Sequence, residues 1–152
     1  MTTSASPSST APSLNPQILG QAENAHAPIL RRLLAVTGLG MTQWVALKFT
    51  AALGGSADRD RLAGMIADAL RTDLAAAGAA LRELTDAGLL AESGDDVTRL
   101  GFTDAGRAEH DRIASGIKEA IGYAYAGIPA EDLLTAGRVL TLITERLNAR
   151  HA

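Results

Sequence analysis

Residues 58–102 read DRDRLAGMIADALRTDLAAAGAALRELTDAGLLAESGDDVTRLGF, and this stretch decides the fold. Leu62, Ile66 and Ala69 recur at helical spacing, which predicts a short helix from about Asp58 to Leu70 with Asp58 capping its start. Arg71-Thr72 follows, and Asp73 is a second N-cap residue. Leu74, Ala77, Leu81 and Leu84 then mark a second helix, with Gly88 suited to its C-terminal cap. Two short helices joined by a few residues form the helix-turn-helix pattern. Beyond Gly88 the period changes. Leu89–Glu92 and Val97–Phe102 have strand character, and Ser93-Gly94-Asp95-Asp96 between them is turn chemistry. A small β-hairpin directly after a helix-turn-helix occupies the place of a wing.

Working outward, a helix is expected to start at Thr42, with Trp44, Leu47 and Ala51 on one stripe and Val45, Phe49 and Leu53 on its neighbour. Gly54-Gly55 stops it. Upstream, Ile18, Ala22, Ala25, Ile29 and Leu33 predict a helix from about Asn15 to Val36. Pro28 lies inside it and predicts a kink or break near Ala27, because proline removes a backbone donor and crowds the preceding turn. Downstream, Thr103 is placed to cap a long helix carrying Ile113, Ile117 and Ile121 to about Ala126. Pro129 opens a last helix, where Leu133, Ala136, Leu140, Ile143 and Leu147 form a heptad-like seam suited to subunit association.

Composition agrees with a mainly α protein. The 152 residues are 47 % hydrophobic but only 3 % aromatic, and Ala and Leu lose little entropy in helices. Residues 1–13 are Ser, Thr, Ala and Pro with almost nothing else, which predicts a disordered tail without the features of a signal peptide. Cysteine is absent, so disulfides and Cys-based metal sites are excluded. No stretch is long and apolar enough to span a membrane, and a cytoplasmic location is expected. No phosphate loop, His-Glu-x-x-His or nucleophile elbow is present, so catalysis, a cofactor and a metal site are not expected.

Three segments carry a family resemblance. They are Leu81-Arg82-Glu83-Leu84-Thr85-Asp86-Ala87-Gly88-Leu89-Leu90, Phe102-Thr103-Asp104-Ala105-Gly106-Arg107 and Gly127-Ile128-Pro129-Ala130-Glu131-Asp132-Leu133. In their order and spacing they resemble the MarR family of winged helix-turn-helix regulators. The resemblance implies one domain over residues 14–152. Its head would occupy 41–102, and 14–37 and 103–151 would supply dimerisation helices. It further implies a homodimer on a pseudo-palindromic operator in double-stranded DNA, acting as a ligand-responsive repressor. The implied effector is a small aromatic or phenolic molecule bound between head and dimer region.

DNA contacts are expected from Arg71, Thr72, Asp73, Ala75, Ala76, Arg82 and Arg99. The second helix of such a motif enters the major groove, and lysines and arginines on phosphates supply most of the affinity. Arg99, beyond the Asp95-Asp96 tip, is the candidate for a minor-groove or phosphate contact. The fourth helix begins with Ala and Gly where the family often has Ser, Thr and Arg. Alanine touches a thymine methyl group but makes no bidentate contact. Residues 58–102 carry nine acids against five arginines, a net −4, and a field of that sign repels DNA unless the arginines gather on one face. A second reading therefore stands beside the first. It is a dimeric winged-helix protein with weak or lost DNA binding, acting through protein partners or small-molecule sequestration. His26, Trp44 and Tyr123 are the ligand-pocket candidates, with core packing as the alternative role of Trp44. His110 and His151 are expected at the surface.

Overall fold

A computed structural model describes residues 12–94 and 96–150. Most of the predicted tail, together with Asp95 and His151, lies outside the described residues. The order is α1 (Pro16–Ala35), α2 (Met41–Ala52), β1 (Ser56–Asp58), α3 (Arg59–Leu70), α4 (Leu74–Asp86), β2 (Leu90–Ser93), β3 (Asp96–Phe102), α5 (Asp104–Tyr125) and α6 (Ala130–Ala149). This is the mainly α, winged helix-turn-helix architecture the sequence predicts. Two compact units divide the chain, the first ending at Ile117 and the second beginning at Lys118. The division falls inside α5.

The core of the first unit is built on α2. Trp44, Val45, Ala46 and Leu47 are consecutive and all buried, so most of the circumference of this helix is covered and only a narrow stripe through Met41, Lys48 and Ala52 is exposed. Thr50 is also buried, and its hydroxyl is satisfied by the Ala46 carbonyl at 2.9 Å. Leu62, Ala63, Ile66 and Ala67 of α3 and Ala77, Leu81 and Leu84 of α4 belong to this core. Each fully buried Leu or Ile contributes about 1.5–3 kcal/mol. Two positions of the predicted stripes fall outside it. Ala69 is exposed, its place taken by Ala63 and Ala67. Leu74 is 63 % exposed, because the core face of α4 begins one turn later at Ala77.

The helix ends follow from their capping residues. Asp58 accepts from the Arg61 N–H at 2.9 Å, and Asp73 accepts from the Ala76 N–H at 2.7 Å. At the end of α4, the Leu89 N–H reaches the Leu84 carbonyl and the Gly88 N–H reaches that of Thr85, with Gly88 at φ 72. That is the Schellman arrangement, and it needs glycine's tolerance of positive φ. The cap of α2 is Gly40 rather than the expected Thr42. The Gln43 side chain accepts from the Gly40 N–H and donates to Glu83 of α4, so one amide both caps α2 and ties it to α4. Pro28 does not break α1, which runs through it as one helix capped by Asn15. Pro129 is the N-cap of α6 rather than a residue of its first turn.

The hairpin gains a strand that the sequence did not reveal. β1 pairs antiparallel with β3, giving the order β1-β3-β2 with Ser56 opposite Gly101 and Leu90 opposite Phe102. Leu90 and Leu100 face the core. Where β3 leads into α5, the Thr103 hydroxyl lies 2.6 Å from the Gly88 carbonyl and 3.2 Å from that of Leu89, and it accepts from the Gly106 N–H at 3.0 Å. Gly106 sits so close to the Leu89 carbonyl that a Cβ there would lie 1.8 Å from its oxygen. The Thr103-Asp104-Ala105-Gly106 segment is thus a joint locking the start of α5 onto the end of α4.

In the second unit, α6 has no buried residue, and Leu134, Val139, Leu140, Leu142 and Leu147 are exposed. Among the described residues, no helix is long and apolar enough to cross a membrane.

Candidate nucleic-acid interface

The turn between α3 and α4 closes without glycine. Arg71 ends α3 at φ 52, ψ 43, the left-handed region that costs a residue with a Cβ about 1 kcal/mol. Its N–H and that of Thr72 both return to the Ala67 carbonyl. Arg71 is exposed, Thr72 is half-buried, and Asp73 is held at the N-cap of α4. Leu74, Ala75 and Ala76 are exposed together in the first turn of α4, and Arg82 is exposed two turns further along. The structure therefore gathers Arg71, Asp73, Ala75, Ala76 and Arg82 along one short path, from the turn down the outer side of α4.

Beside that path a groove of about 690 Å³ opens between α3, α4 and the hairpin. Leu81 and Leu100 contribute apolar lining, Arg82 and Asp86 come from α4, and Arg59 and Glu92 come from α3 and β2. Arg59 Nη2 lies 3.1 Å from Glu92 Oε1 and 3.4 Å from the Val97 carbonyl. In the sequence Arg59 is one of five arginines in the head and was not among the expected DNA contacts. The available signal was its place directly after the Asp58 cap, at the first residue of the first helix of the motif.

Arg99 is not at the hairpin tip. It lies opposite Asp58 across the β1–β3 pair, and its Nη2 is 3.2 Å from Ser56 Oγ and 3.4 Å from the Ser56 carbonyl. Nearer the tip, Asp96 accepts from the hydroxyl and the backbone N–H of Thr98. Those two bonds, the hydroxyl's first, hold its carboxyl below the ordinary carboxylate value. The hairpin is also irregular at Glu92/Ser93, where the register slips.

The ligand candidates stand in different surroundings. Trp44 is 4 % exposed, its ring stacked on His110 with centroids 5.6 Å apart. Phe102 joins this group with its ring 5.7 Å from that of His110, and Arg107 lies 5.3 Å over the Phe102 ring. His110 is therefore a half-buried member of an aromatic cluster, not the surface residue expected. The partner that encloses it, Trp44, comes from a distant element, whereas Phe102 ends the strand just before α5. His26 is exposed on α1, with Nδ1 2.7 Å from the Ala22 carbonyl. Tyr123 is 77 % exposed in the second unit.

Six helices, with a three-stranded sheet whose hairpin follows the helix-turn-helix and whose remaining strand precedes it, define a winged helix-turn-helix protein with long flanking helices. Several solved structures that share this fold are described as MarR family proteins. Ligand-free NadR superposes with a TM-score of 0.72 at 20 % identity, covering 91 % of this chain and 100 % of NadR. A MarR family transcriptional regulator from Silicibacter pomeroyi gives 0.68 at 21 % identity, covering 84 % of this chain and 86 % of its own. A Mycobacterium tuberculosis MarR family protein in complex with DNA gives 0.63 at 20 % identity, covering 87 % and 98 %. NadR has also been solved with 4-hydroxyphenylacetate, and the mycobacterial protein with p-aminosalicylic acid. No protein-family model matches the sequence, and a comparison with curated proteins gives no match. The likeness is one of fold, and at that level the MarR-type resemblance of the sequence is borne out.

Proposed function

We propose that this chain is a DNA-binding transcriptional regulator rather than an enzyme. It works in the cytoplasm as a homodimeric, ligand-responsive repressor on a pseudo-palindromic operator. One observation carries the reading. The first turn of α4 is exposed between Arg71 and Arg82 beside the hairpin, in a fold shared with a protein solved in complex with DNA. A helix presented in this way enters the major groove with its N-terminal residues against the bases. Ala75 and Ala76 suit thymine methyl groups, and Arg71 and Arg82 suit phosphates or a guanine edge. The uncovered apolar residues of α6 support the dimer, since a helix with so much exposed leucine needs a partner surface. The effector class follows the aromatic acids bound by NadR and by the mycobacterial protein. His26, Trp44 and Tyr123 are the first positions to substitute when testing it.

The test is selection of binding sites from random duplex DNA with the full chain, followed by anisotropy at low and moderate salt. A regulator enriches an inverted repeat and binds it more tightly than random duplex. No enrichment, together with no preference at low salt, sinks the reading. A second reading, a dimeric winged-helix protein acting through protein partners or small-molecule sequestration, draws on the net −4 of residues 58–102 and on Arg59 and Arg99 both being engaged within the chain. It predicts a folded dimer that binds no duplex.

A further inference from the structure

We propose that Arg59 is a phosphate contact of the head and that Glu92 competes with DNA for it. The inference rests on the DNA-binding reading and adds a residue and a built-in brake to it. Arg59 is the first residue of α3, and the first helix of a helix-turn-helix crosses the DNA backbone. It shares the groove beside α4 with Arg82, so the two guanidinium groups border one surface. Its present partners hold it loosely. Glu92 engages it through Nη2, and the two side chains are 41 % and 49 % exposed. Ion pairs this exposed contribute little, so exchanging the carboxylate for a phosphate costs little. The guanidinium is also short of acceptors. Arg59 Nε is buried without a hydrogen-bond partner, among the described residues the one such side-chain atom. A guanidinium is a planar fork that a phosphate engages bidentately, and the exposed part of the group, not the buried Nε, is what DNA would reach.

Glu92 thus has two effects on DNA binding. It adds a negative charge to the groove, as Asp86 does, and it occupies Arg59. Only the second depends on Arg59, and this separates the proposal from general charge repulsion.

The experiment compares the unaltered full chain with Arg59→Met, Glu92→Gln, the double variant, Asp86→Asn and Asp86→Asn combined with Arg59→Met. Each is first checked for folding by circular dichroism, with Arg59→Gln replacing R59M if that variant does not fold. Binding to a random-sequence duplex is measured across a salt series. E92Q tightens binding about two- to fivefold, the range that release of an exposed pair supplies. R59M weakens binding and flattens the log–log salt dependence by about 0.9 for each head engaged, the slope that one neutralised phosphate supplies. In the R59M background, E92Q does no more than D86N. Equal tightening by E92Q in both backgrounds, or an unchanged salt slope in R59M, overturns the assignment while leaving the regulator reading intact. If the unaltered chain binds no duplex at low salt, the regulator reading fails and this inference fails with it.

Discussion

Replacing Gly106 with alanine tests the joint between the head and α5. The new methyl carbon would start 1.8 Å from the Leu89 carbonyl oxygen and 2.7 Å from its carbon. Both are backbone atoms at the Schellman turn that ends α4, so no side chain can swing aside. Reaching even 3.0 Å from the oxygen requires α5 and that turn to separate by about 1.2 Å. Such a shift breaks the Thr103 bonds that cross the joint, from its hydroxyl to the Gly88 carbonyl at 2.6 Å and from its N–H to the Leu89 carbonyl at 3.2 Å. Overpacking costs about 1–3 kcal/mol. Losing these two bonds adds about 1 kcal/mol each. The expected destabilisation is therefore about 3–5 kcal/mol, a fall in Tm of roughly 6–20 °C for a chain of this size. Urea denaturation followed by circular dichroism measures it. Gly64→Ala is the control, because a Cβ at Gly64, inside α3, meets nothing within 4 Å. That substitution should stabilise by about 0.5–1 kcal/mol. A G106A variant within about 1 kcal/mol of the unaltered protein would refute the account of the joint, since overpacking alone starts at that level.

Other substitutions probe single features. At Arg71, glycine should be more stable than alanine by about 1 kcal/mol in thermal melts, because only alanine is strained by the left-handed conformation; equal melts would show that the turn relaxes. Asp73→Ala should cost about 1 kcal/mol through the missing cap of α4, and a neutral result in urea titration would remove that cap from the account. The depressed carboxyl of Asp96 stabilises the folded hairpin above the ordinary value of 3.8, and that contribution disappears as pH falls through the lowered folded value. Thr98→Ala should therefore raise the Asp96 midpoint in an NMR titration, and an unmoved midpoint would show that the Thr98 hydroxyl is not the cause. Leu140→Glu combined with Leu147→Glu should convert a dimer to a monomer by light scattering, and a persisting dimer would place the subunit interface away from these residues.

The sequence made some of this legible and hid the rest for physical reasons. α3 and α4 announce themselves through Leu62 and Ile66 and through Ala77, Leu81 and Leu84, because local spacing sets which face of a helix can be buried. The Asp58, Asp73 and Thr103 caps are legible for the same reason: a cap acts within three residues. β1 was hidden because three residues, Ser-Ala-Asp, carry no period of their own. They are a strand only because residues 99–101 come alongside. Leu74 satisfied the period of α4 but lies beyond the end of the core, which no local rule marks. Pro28 was expected to interrupt α1, yet its fixed φ is itself helical and the helix continues. Of the candidate site, the path from Arg71 to Arg82 was visible as one motif. The engagement of Arg99 by Ser56, of Arg59 by Glu92 and of His110 by Trp44 depends on residues more than thirty positions apart.

The pairing of Ser56 with Gly101 also bears on how such a protein can change its specificity. It sets the two ends of the helix-turn-helix and wing side by side, on adjacent strands of one sheet. A segment whose ends already meet can be exchanged without rerouting the chain on either side. Residues 56–102 thus form a cassette: α2 underneath and the Thr103–Gly106 joint behind it stay in place while α4 and the hairpin are rewritten. If the DNA-binding proposal holds, the alanines of α4 are the blank positions of that cassette, where a base preference would be written one side chain at a time.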